Sequence, residues 1–257
     1  MVSQTPLRYF DHAERARRYE RTRPQVHGLA LRDLWQQRGQ RPLQQALDIG
    51  CGTGHSLAAL SDLATRCLGC DLSAAMLAAA PRGLRANLLL AAAEQLPLAS
   101  GSLDLVTATM VWHWLDQARA GAEMARLLRP GGEIWVLNFW FPGELPGEPA
   151  FAAWHRDIYH GRLPSPPRRR HALTEALATQ PRLQPAASYD FSFTVPFSAK
   201  TLGDYLTTQS NVEAALRAGT ALDEIDDWLA AQLAPFFAAE PERAFVYLGR
   251  AEVAVAQ

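Results

Sequence analysis

The chain has 257 residues, with 25 Lys+Arg against 26 Asp+Glu and a net charge of -1, so its overall charge does not favour nucleic-acid binding. Its three cysteines are too few for a disulfide framework, no apolar run approaches the length of a membrane span, and the first residues show no signal-peptide pattern. We therefore expect a cytoplasmic protein with reduced thiols and with neither a membrane nor a nucleic-acid partner. The oligomeric state stays open.

The N-terminal segment, residues 9–23, is polar, rich in arginine and predicted to form a helix. Aromatic and small residues recur on one face at helical spacing: Tyr9, Phe10, Ala13, Ala16 and Tyr19. The arginines of this segment fit a solvated surface. A second helix is predicted over residues 27–37 and ends at a break that contains Gly39 and Pro42.

The next segment has the order strand, tight turn, helix. An apolar run over residues 45–49 ends in Gly50, Gly52 and Gly54, and a helix-compatible stretch follows. Glycines at such a turn can take φ > 0 and let a ligand approach the backbone N–H groups. Asp71 ends the following apolar run about 20 residues later, where nucleotide-binding folds place a carboxylate for the ribose hydroxyls. These features predict a site for an adenosine-containing cofactor.

Strand and helix patterns alternate up to residue 140, which predicts a parallel sheet with right-handed crossovers. The predicted strands of this part cover residues 45–49, 66–70, 86–90, 103–111 and 133–140. Helices are expected at residues 55–63, after a Ser73 N-cap, and at residues 123–128. The aromatic run that ends the fourth strand lies at the sheet edge where open parallel sheets bind ligands.

Beyond residue 140 the alternation stops at a loop rich in Pro and Gly. Helices are predicted at residues 150–159, 200–209, 212–218 and 223–237, and strands at residues 189–197 and 242–254. The basic run at residues 168–171 could bind an acidic substrate, but a solvated loop face is the preferred interpretation.

Several motifs resemble those of class I S-adenosylmethionine-dependent methyltransferases. The first motif of that family is similar to Leu47-Asp48-Ile49-Gly50-Cys51-Gly52-Thr53-Gly54, and its turn into the fifth strand is similar to Leu128-Arg129-Pro130-Gly131-Gly132. The segment that closes over the cofactor in small-molecule enzymes resembles Tyr19-Glu20-Arg21-Thr22-Arg23-Pro24. A segment of the trans-aconitate-type subgroup resembles His113-Trp114-Leu115-Asp116. This chain departs from the family at the acidic loop beside the adenine, because Ala92 stands where many members carry Asp.

The resemblance implies a Rossmann-like α/β fold, with a mostly parallel sheet, an antiparallel edge hairpin and a helical insertion before the final strands. It implies one methyltransferase domain over residues 1–257, made of an N-terminal lid (1–40), a cofactor core (44–140), a substrate cap with an edge strand (141–240) and a final strand (241–257).

The resemblance also implies S-adenosylmethionine as the cofactor, with no metal. The expected cofactor-binding residues are Tyr19, Arg23, Asp48, Gly50, Cys51, Gly52, Gly54, Asp71, Leu72, Met76, Ala93, Glu94, Met110 and Trp112. The expected substrate-pocket residues are Tyr9, His113, Phe139 and Trp140.

Methyl transfer from a sulfonium needs aligned reactants and a dry site, and it needs a base only when the acceptor is a poor nucleophile. We nominate His113 as that base, because an unperturbed imidazole titrates near neutral pH, and a histidine that only shapes the pocket stays the alternative. Trp114 is expected in the core, and Asp104 and Asp116 in turns or caps.

The sequence thus predicts an S-adenosylmethionine-dependent methyltransferase that acts on a small molecule, a carboxylate or another oxygen nucleophile. The relatives expected are trans-aconitate-type and malonyl-carrier-protein-type enzymes. A non-catalytic regulatory protein that binds S-adenosylmethionine stays open. A nicotinamide-dependent oxidoreductase is disfavoured, because its glycine fingerprint needs Gly where this chain has His55.

Overall fold

The structure, a computed structural model, describes residues 12–166, 173–177 and 180–257. Tyr9 of the expected substrate pocket and the basic run at residues 168–171 lie outside the described residues. Within the three described ranges, no helix is both long and apolar enough to cross a membrane.

A seven-stranded sheet has the strand order β3-β2-β1-β4-β5-β7-β6. Its strands are β1 (Leu43–Ile49), β2 (Ala64–Asp71), β3 (Asn87–Leu90), β4 (Leu103–Thr109), β5 (Leu128–Trp140), β6 (Leu183–Ser198) and β7 (Glu242–Ala256). The first five pair in parallel, whereas β7 is antiparallel to both β5 and β6. This arrangement confirms the predicted Rossmann-like sheet with its antiparallel edge hairpin.

The described helices surround this sheet. They are α1 (Ala13–Thr22), α2 (Val26–Gln37), α3 (His55–Leu60), α4 (Ala74–Ala78), α5 (Gln117–Leu127), α6 (Pro149–Ala153), α7 (His160–Arg162), α8 (Leu173–Leu177), α9 (Ala199–Leu206), α10 (Ser210–Arg217) and α11 (Leu222–Leu233). A π-helical segment, Trp154–Tyr159, joins α6 to α7. The predicted insertion is divided by β6, because α6 to α8 precede that strand and α9 to α11 follow it.

Every strand differs in length from the sequence prediction, β5 by starting at Leu128 and not at residue 133, and the differences at β4 and β6 have a structural cause. β4 ends at Thr109 and not at residue 111, because Met110 takes a φ of 59° and a 3-10 turn, Trp112–Trp114, follows. β6 begins six residues before the first aromatic of the predicted alternation, because its early residues also pair with β7 across a register shift near Pro185. Alternating hydrophobicity identifies only the half of β6 that packs on a core.

Apolar residues pack on both faces of the sheet. Cys67 belongs to the cluster with α2, α3 and the helices after β5, whereas Cys70 belongs to the cluster with α5 and α8. Because residues three apart on a strand point to opposite faces, this separation is the one that their spacing predicts. All three cysteines are buried free thiols.

Candidate active site

The glycine turn joins β1 to α3 with three residues in the left-handed region. Gly50, Gly52 and Gly54 have φ values of 61°, 54° and 89°, a region that side chains with a Cβ rarely occupy. The Cys51 N–H donates to the Cys70 carbonyl oxygen at 3.0 Å, which ties the turn to the end of β2. The alternating glycines of the sequence are therefore required by the backbone conformation of this turn.

Asp71 links the glycine turn to α4. Its carboxylate accepts the Gly52 N–H at 2.9 Å and the Ser73 N–H at 2.8 Å, and its side chain is only half-buried. The Ser73 hydroxyl in turn accepts the Met76 N–H at 3.1 Å, as expected of an N-cap. The Met76 methyl carbon lies 3.0 Å from where a Cβ on Gly52 would stand. Gly52, Asp71 and Met76 therefore converge beside the exposed Leu72.

Asp48 lies beneath the turn and not on its open side. It is fully buried and accepts the hydroxyls of Ser56 and Thr107, at 2.5 and 2.7 Å. Burial raises the pKa of Asp48 to about 7, against the opposing effect of the two hydroxyls. The residue joins β1 to α3 and β4, and its part in cofactor binding stays a prediction from the sequence.

Of the residues expected to bind the cofactor, Ala93 and Trp112 are buried and Glu94 is partly exposed. Ala93 and Trp112 share one apolar cluster with Ile49. Glu94 accepts the backbone N–H of Asp116 at 3.1 Å, and Asp116 caps α5 as expected of a cap residue. Within the described part of the chain, the Trp112 indole N–H has no hydrogen-bond partner although it is buried.

Two further observations test whether the turn fits an adenosyl group. The hydroxyl of Thr53, in the middle of the turn, is also buried without a partner among the described residues. The carboxylate oxygens of Asp71 can each accept more than one hydrogen bond, so the bonds to Gly52 and Ser73 leave acceptor capacity for hydroxyl groups. A turn without Cβ atoms, an acid beside it and unpaired buried donors all fit a nucleoside.

Arg23, just after α1, carries a buried charge. Its guanidinium donates to the Thr208 carbonyl oxygen at 2.7 Å and lies over the rings of Tyr19 and Tyr205, at 4.4 and 5.4 Å from their centroids. No carboxylate of the described residues pairs with it, and its Nε has no partner there either. Because an unpaired buried charge is costly, this guanidinium is a strong candidate to hold an anionic group.

α1 bridges the cofactor side and the helices that follow β6. On one side His55 of α3 stacks on Tyr19, with ring centroids 6.1 Å apart, and bonds the Glu20 carbonyl oxygen at 2.9 Å. On the other side Arg18 forms two hydrogen bonds to Asp226 of α11, at 2.6 and 2.9 Å. If α1 closes over a bound cofactor, it therefore contacts both α3 and the helices after β6.

A cavity of about 290 Å³ opens where β4 and β5 end. It contains six of the expected site residues: Tyr19, Arg23, Met110, His113, Phe139 and Trp140. The glycine turn does not line it. Asp104, expected in a turn or cap, lies instead in the buried interior of β4, where it accepts the Gln44 and Gln45 backbone N–H groups at 2.7 and 2.8 Å.

Several cavity residues escaped the sequence analysis. Trp114, predicted in the core, lines the cavity, and so do residues from four other segments: His155, Tyr159, Tyr205, Asn211 and Tyr247. Tyr205 donates its hydroxyl proton to the Tyr247 hydroxyl at 3.2 Å, although the two are 42 positions apart. No local motif marks these positions, because only the packing of the helices against β5 and β7 brings them together.

Comparison with known proteins agrees with this geometry. Residues 47–136 match the family model described as a methyltransferase domain. A protein described as a type II methyltransferase from Anaeromyxobacter dehalogenans has a TM-score of 0.67 and 26% identity, over 88% of this chain and 95% of that chain. YcgJ of Bacillus subtilis shares the fold, with a TM-score of 0.53 and 21% identity over 90% of this chain and 98% of that one.

Curated relatives match over a shorter stretch. The demethylmenaquinone methyltransferase of Beutenbergia cavernae is 38% identical over 141 residues, which cover 52% of this chain and 58% of that protein. The malonyl-[acyl-carrier protein] O-methyltransferase of Methylococcus capsulatus is 36% identical over 109 residues, 38% of each chain. The matches thus span less than two thirds of either relative. Residues 47–136, which contain the glycine turn and Asp71, are thus similar to a methyltransferase domain, and the sheet order of the whole chain is similar to that of the solved methyltransferase structure.

Proposed function

We propose that this chain transfers a methyl group from S-adenosylmethionine to an oxygen nucleophile of a small molecule. The proposal rests mainly on the cavity at the ends of β4 and β5. Residues of α1 and of the cap form the other walls of this cavity. Its volume of about 290 Å³ suits a small acceptor. Arg23 enters this cavity from α1, which also contacts α3 directly after the glycine turn.

Within this proposal the cofactor lies along the glycine turn. Asp71 accepts the ribose hydroxyls, and Leu72 and Met76 cover the adenosine. Arg23 and Tyr19 hold the carboxylate of the methionine part, since Arg23 has no carboxylate partner among the described residues. The methyl group then faces the cavity next to Met110, and His113 remains a nominated base on its wall.

We further propose that the chain works as one methyltransferase domain. In it, residues 1–40 act as the lid, 44–140 hold the cofactor, 141–240 form the cap over the acceptor, and 241–257 complete the sheet. The ion pairs between α1 and the helices after β6 support this division, because they couple the lid to the cap. A cytoplasmic location and the absence of a nucleic-acid partner stay predictions from the sequence.

The acceptor is not carried over from the relatives. One relative is named for a quinone precursor and the other for a carrier protein, so their acceptors differ in kind. The family match ends at residue 136, before the cap that supplies His155, Tyr159 and Tyr205 to the cavity. The cap therefore determines the acceptor, and it has to be understood from its own residues.

Calorimetric titration with S-adenosylmethionine, S-adenosylhomocysteine and NAD tests the cofactor. We expect binding of the first two and none of NAD. Asp71→Ala should weaken the affinity about 30-fold, since hydrogen bonds to a charged group contribute about 2 kcal/mol. Asp62→Ala, at an exposed aspartate of the same half of the chain, serves as the control. Binding of NAD with none of S-adenosylmethionine would contradict the proposal.

Turnover separates an enzyme from a regulatory protein. The wild-type chain is incubated with S-adenosylmethionine and a panel of small carboxylic acids, phenols and enols, and S-adenosylhomocysteine formation is measured. Acceptor-dependent formation is the expected result. Tight cofactor binding without turnover on any member of the panel would favour the non-catalytic alternative.

A further inference from the structure

The cap contains a π-helical segment, Trp154–Tyr159, inside a continuous helical stretch over residues 149–162. Such segments are rare and occur frequently at functional sites, because they place side chains where an α-helix would not. His155 and Tyr159 both line the cavity, and their rings stack at 5.3 Å with an interplanar angle of 12°. The distortion thus directs an imidazole and a phenol into the cavity side by side.

Neighbouring side chains hold the His155 ring in place but form no hydrogen bond with it among the described residues. Phe141 packs edge-on against the ring at 5.2 Å, and a Cβ on Gly143 would overlap the imidazole Nδ1. Gly143 has a φ of 76°, so both the conformation and the close approach require glycine. Within the described residues His155 forms ring contacts but no hydrogen bond. Nδ1 lies against Gly143, so Nε2 is the ring nitrogen that can meet a molecule in the cavity.

His155 is a neutral imidazole at neutral pH. Burial, followed by the nearby His160, lowers the pKa of His155 to about 4. The other titratable groups on the cavity wall are Tyr19 and Arg23 from the α1 side, His113 after β4, Tyr159 beside it, Tyr205 on α9 and Tyr247 on β7. None of these is a carboxylate, so no anion on the wall favours the protonated imidazole.

The rest of the wall suits a flat, uncharged molecule. Aromatic rings supply much of its apolar surface, from Trp114, Phe139, Trp140 and Phe141. Neutral polar groups come from Gln209, Ser210 and Asn211. Arg23 supplies the guanidinium group among the described lining residues. In the proposed function this group binds the carboxylate of the cofactor. An acceptor carboxylate would then meet no second guanidinium or ammonium group on the described wall.

We propose, on the basis of the methyltransferase function proposed above, that the acceptor is a phenol or an enol whose hydroxyl donates a hydrogen bond to the neutral His155 imidazole, which positions the acceptor oxygen. The acceptor oxygen forms the new bond to the methyl carbon as the carbon–sulfur bond breaks and leaves its electron pair on sulfur. The hydroxyl proton is released to water. The products are a methyl ether and S-adenosylhomocysteine, and no oxidant or metal is needed.

The test compares para-cresol, which keeps its hydroxyl proton at neutral pH, with para-methylanisole, which has the same ring but no hydroxyl proton. Both are titrated calorimetrically into the protein saturated with S-adenosylhomocysteine. Wild type should bind the phenol about 3- to 10-fold more tightly, the range of one net hydrogen bond. His155→Phe should lose this preference while its affinity for the anisole is kept. His155→Gln, which retains an acceptor oxygen, should recover part of it.

The same variants are then assayed for methylation of para-cresol. His155→Phe should lower kcat about 3- to 10-fold, the factor expected for one net hydrogen bond that orients the acceptor, and His155→Gln should recover part of it. His27→Gln is the matched control, because His27 is similarly buried but does not line the cavity. His113→Gln tests the sequence prediction, and a loss of kcat there with none at His155 would overturn the proposal.

Two results separate this inference from the proposed function. If the wild-type chain binds S-adenosylhomocysteine but does not distinguish the phenol from the anisole, the phenol assignment is wrong and the methyltransferase proposal stands. If it binds no S-adenosylhomocysteine, both proposals fail. A His155→Phe variant that keeps the wild-type preference also overturns the role of His155.

Discussion

At the scale of single residues, two features define the glycine turn: the left-handed backbone of its glycines and a hydrogen bond to the Asp71 carboxylate. Gly52 has a φ of 54°, and its N–H donates to Asp71. These two features are local, since each follows from a turn of a few residues and the end of the neighbouring strand. This is why the sequence was sufficient to identify Gly50, Gly52, Gly54 and Asp71 as a group.

Gly52→Ala should weaken S-adenosylmethionine binding about tenfold or more, equivalent to about 1.4 kcal/mol. The added Cβ would stand 3.0 Å from the Met76 methyl carbon, on the side where we place the adenosine. Left-handed backbone costs a residue with a Cβ about 1–2 kcal/mol, so stability should fall as well. Calorimetric titration and the melting temperature are measured on the same sample.

Gly101→Ala is the matched control for this variant. Gly101 has a φ of 65°, and a Cβ added to it would meet nothing within 4 Å, so the substitution brings the same backbone strain without any crowding. Both variants should lose stability, and only Gly52→Ala should lose affinity. Equal affinities in the two variants would reduce the glycine turn to a structural role.

At the scale of elements, α1 is held by three partly buried ion pairs, one of them between Arg18 and Asp204 of α9 at 3.3 Å. Arg15 bonds Glu213 of α10 at 2.7 Å, and Arg18 bonds Asp226 of α11 at 2.6 and 2.9 Å. The sequence suggested a solvated arginine face, and for these two arginines that interpretation is wrong. Their partners lie about 200 positions away, so no local pattern could indicate them.

Arg18→Met should loosen α1 and with it the cofactor site. We expect faster amide hydrogen exchange over residues 13–22, a loss of about 1 kcal/mol in the free energy of unfolding and weaker S-adenosylmethionine binding. In wild type the same amides should exchange more slowly once the cofactor is bound. Exchange that does not respond to the cofactor would mean that α1 is not a lid.

The Arg156–Asp157 pair provides the control for Arg18. It has similar geometry, with hydrogen bonds of 2.6 and 2.7 Å, but both side chains are largely exposed. Exposed pairs contribute little because solvent screens them, so Arg156→Met should leave the exchange of α1 unchanged. An equal effect of the two variants would point to a general loss of stability.

At the scale of the whole molecule, the sheet and one side of the cavity were predictable, and the side that the cap supplies was not. Strand order follows from alternating patterns, glycine and proline breaks and right-handed crossovers, all of which can be identified in short windows. The cavity wall joins Arg23, Phe141, His155, Tyr205 and Tyr247, from five separate segments. Their meeting depends on how the cap packs over β5 and β7, which no short-range pattern encodes.

Buried ionisable groups give the molecule a defined response to pH. Burial lowers the pKa of His27 from 6.5 to about 3 and that of His155 to about 4, so both stay neutral when folded and take up a proton on unfolding below pH 6.5. Their contribution to stability is present above pH 6.5 and is lost as the pH falls. Asp48 acts in the opposite direction, because its folded pKa is raised from 3.8 to about 7.

With two such histidines against one such carboxyl, the melting temperature should fall as the pH is lowered from 7 to 5. His27→Gln removes one group that takes up a proton on unfolding, so the fall should become shallower. Asp48→Asn removes the opposing group, so the fall should become steeper, and the variant should gain stability relative to wild type as the pH rises through 7. Thermal unfolding of the three proteins at matched ionic strength measures these slopes. Parallel curves would show that these groups do not determine the acid response.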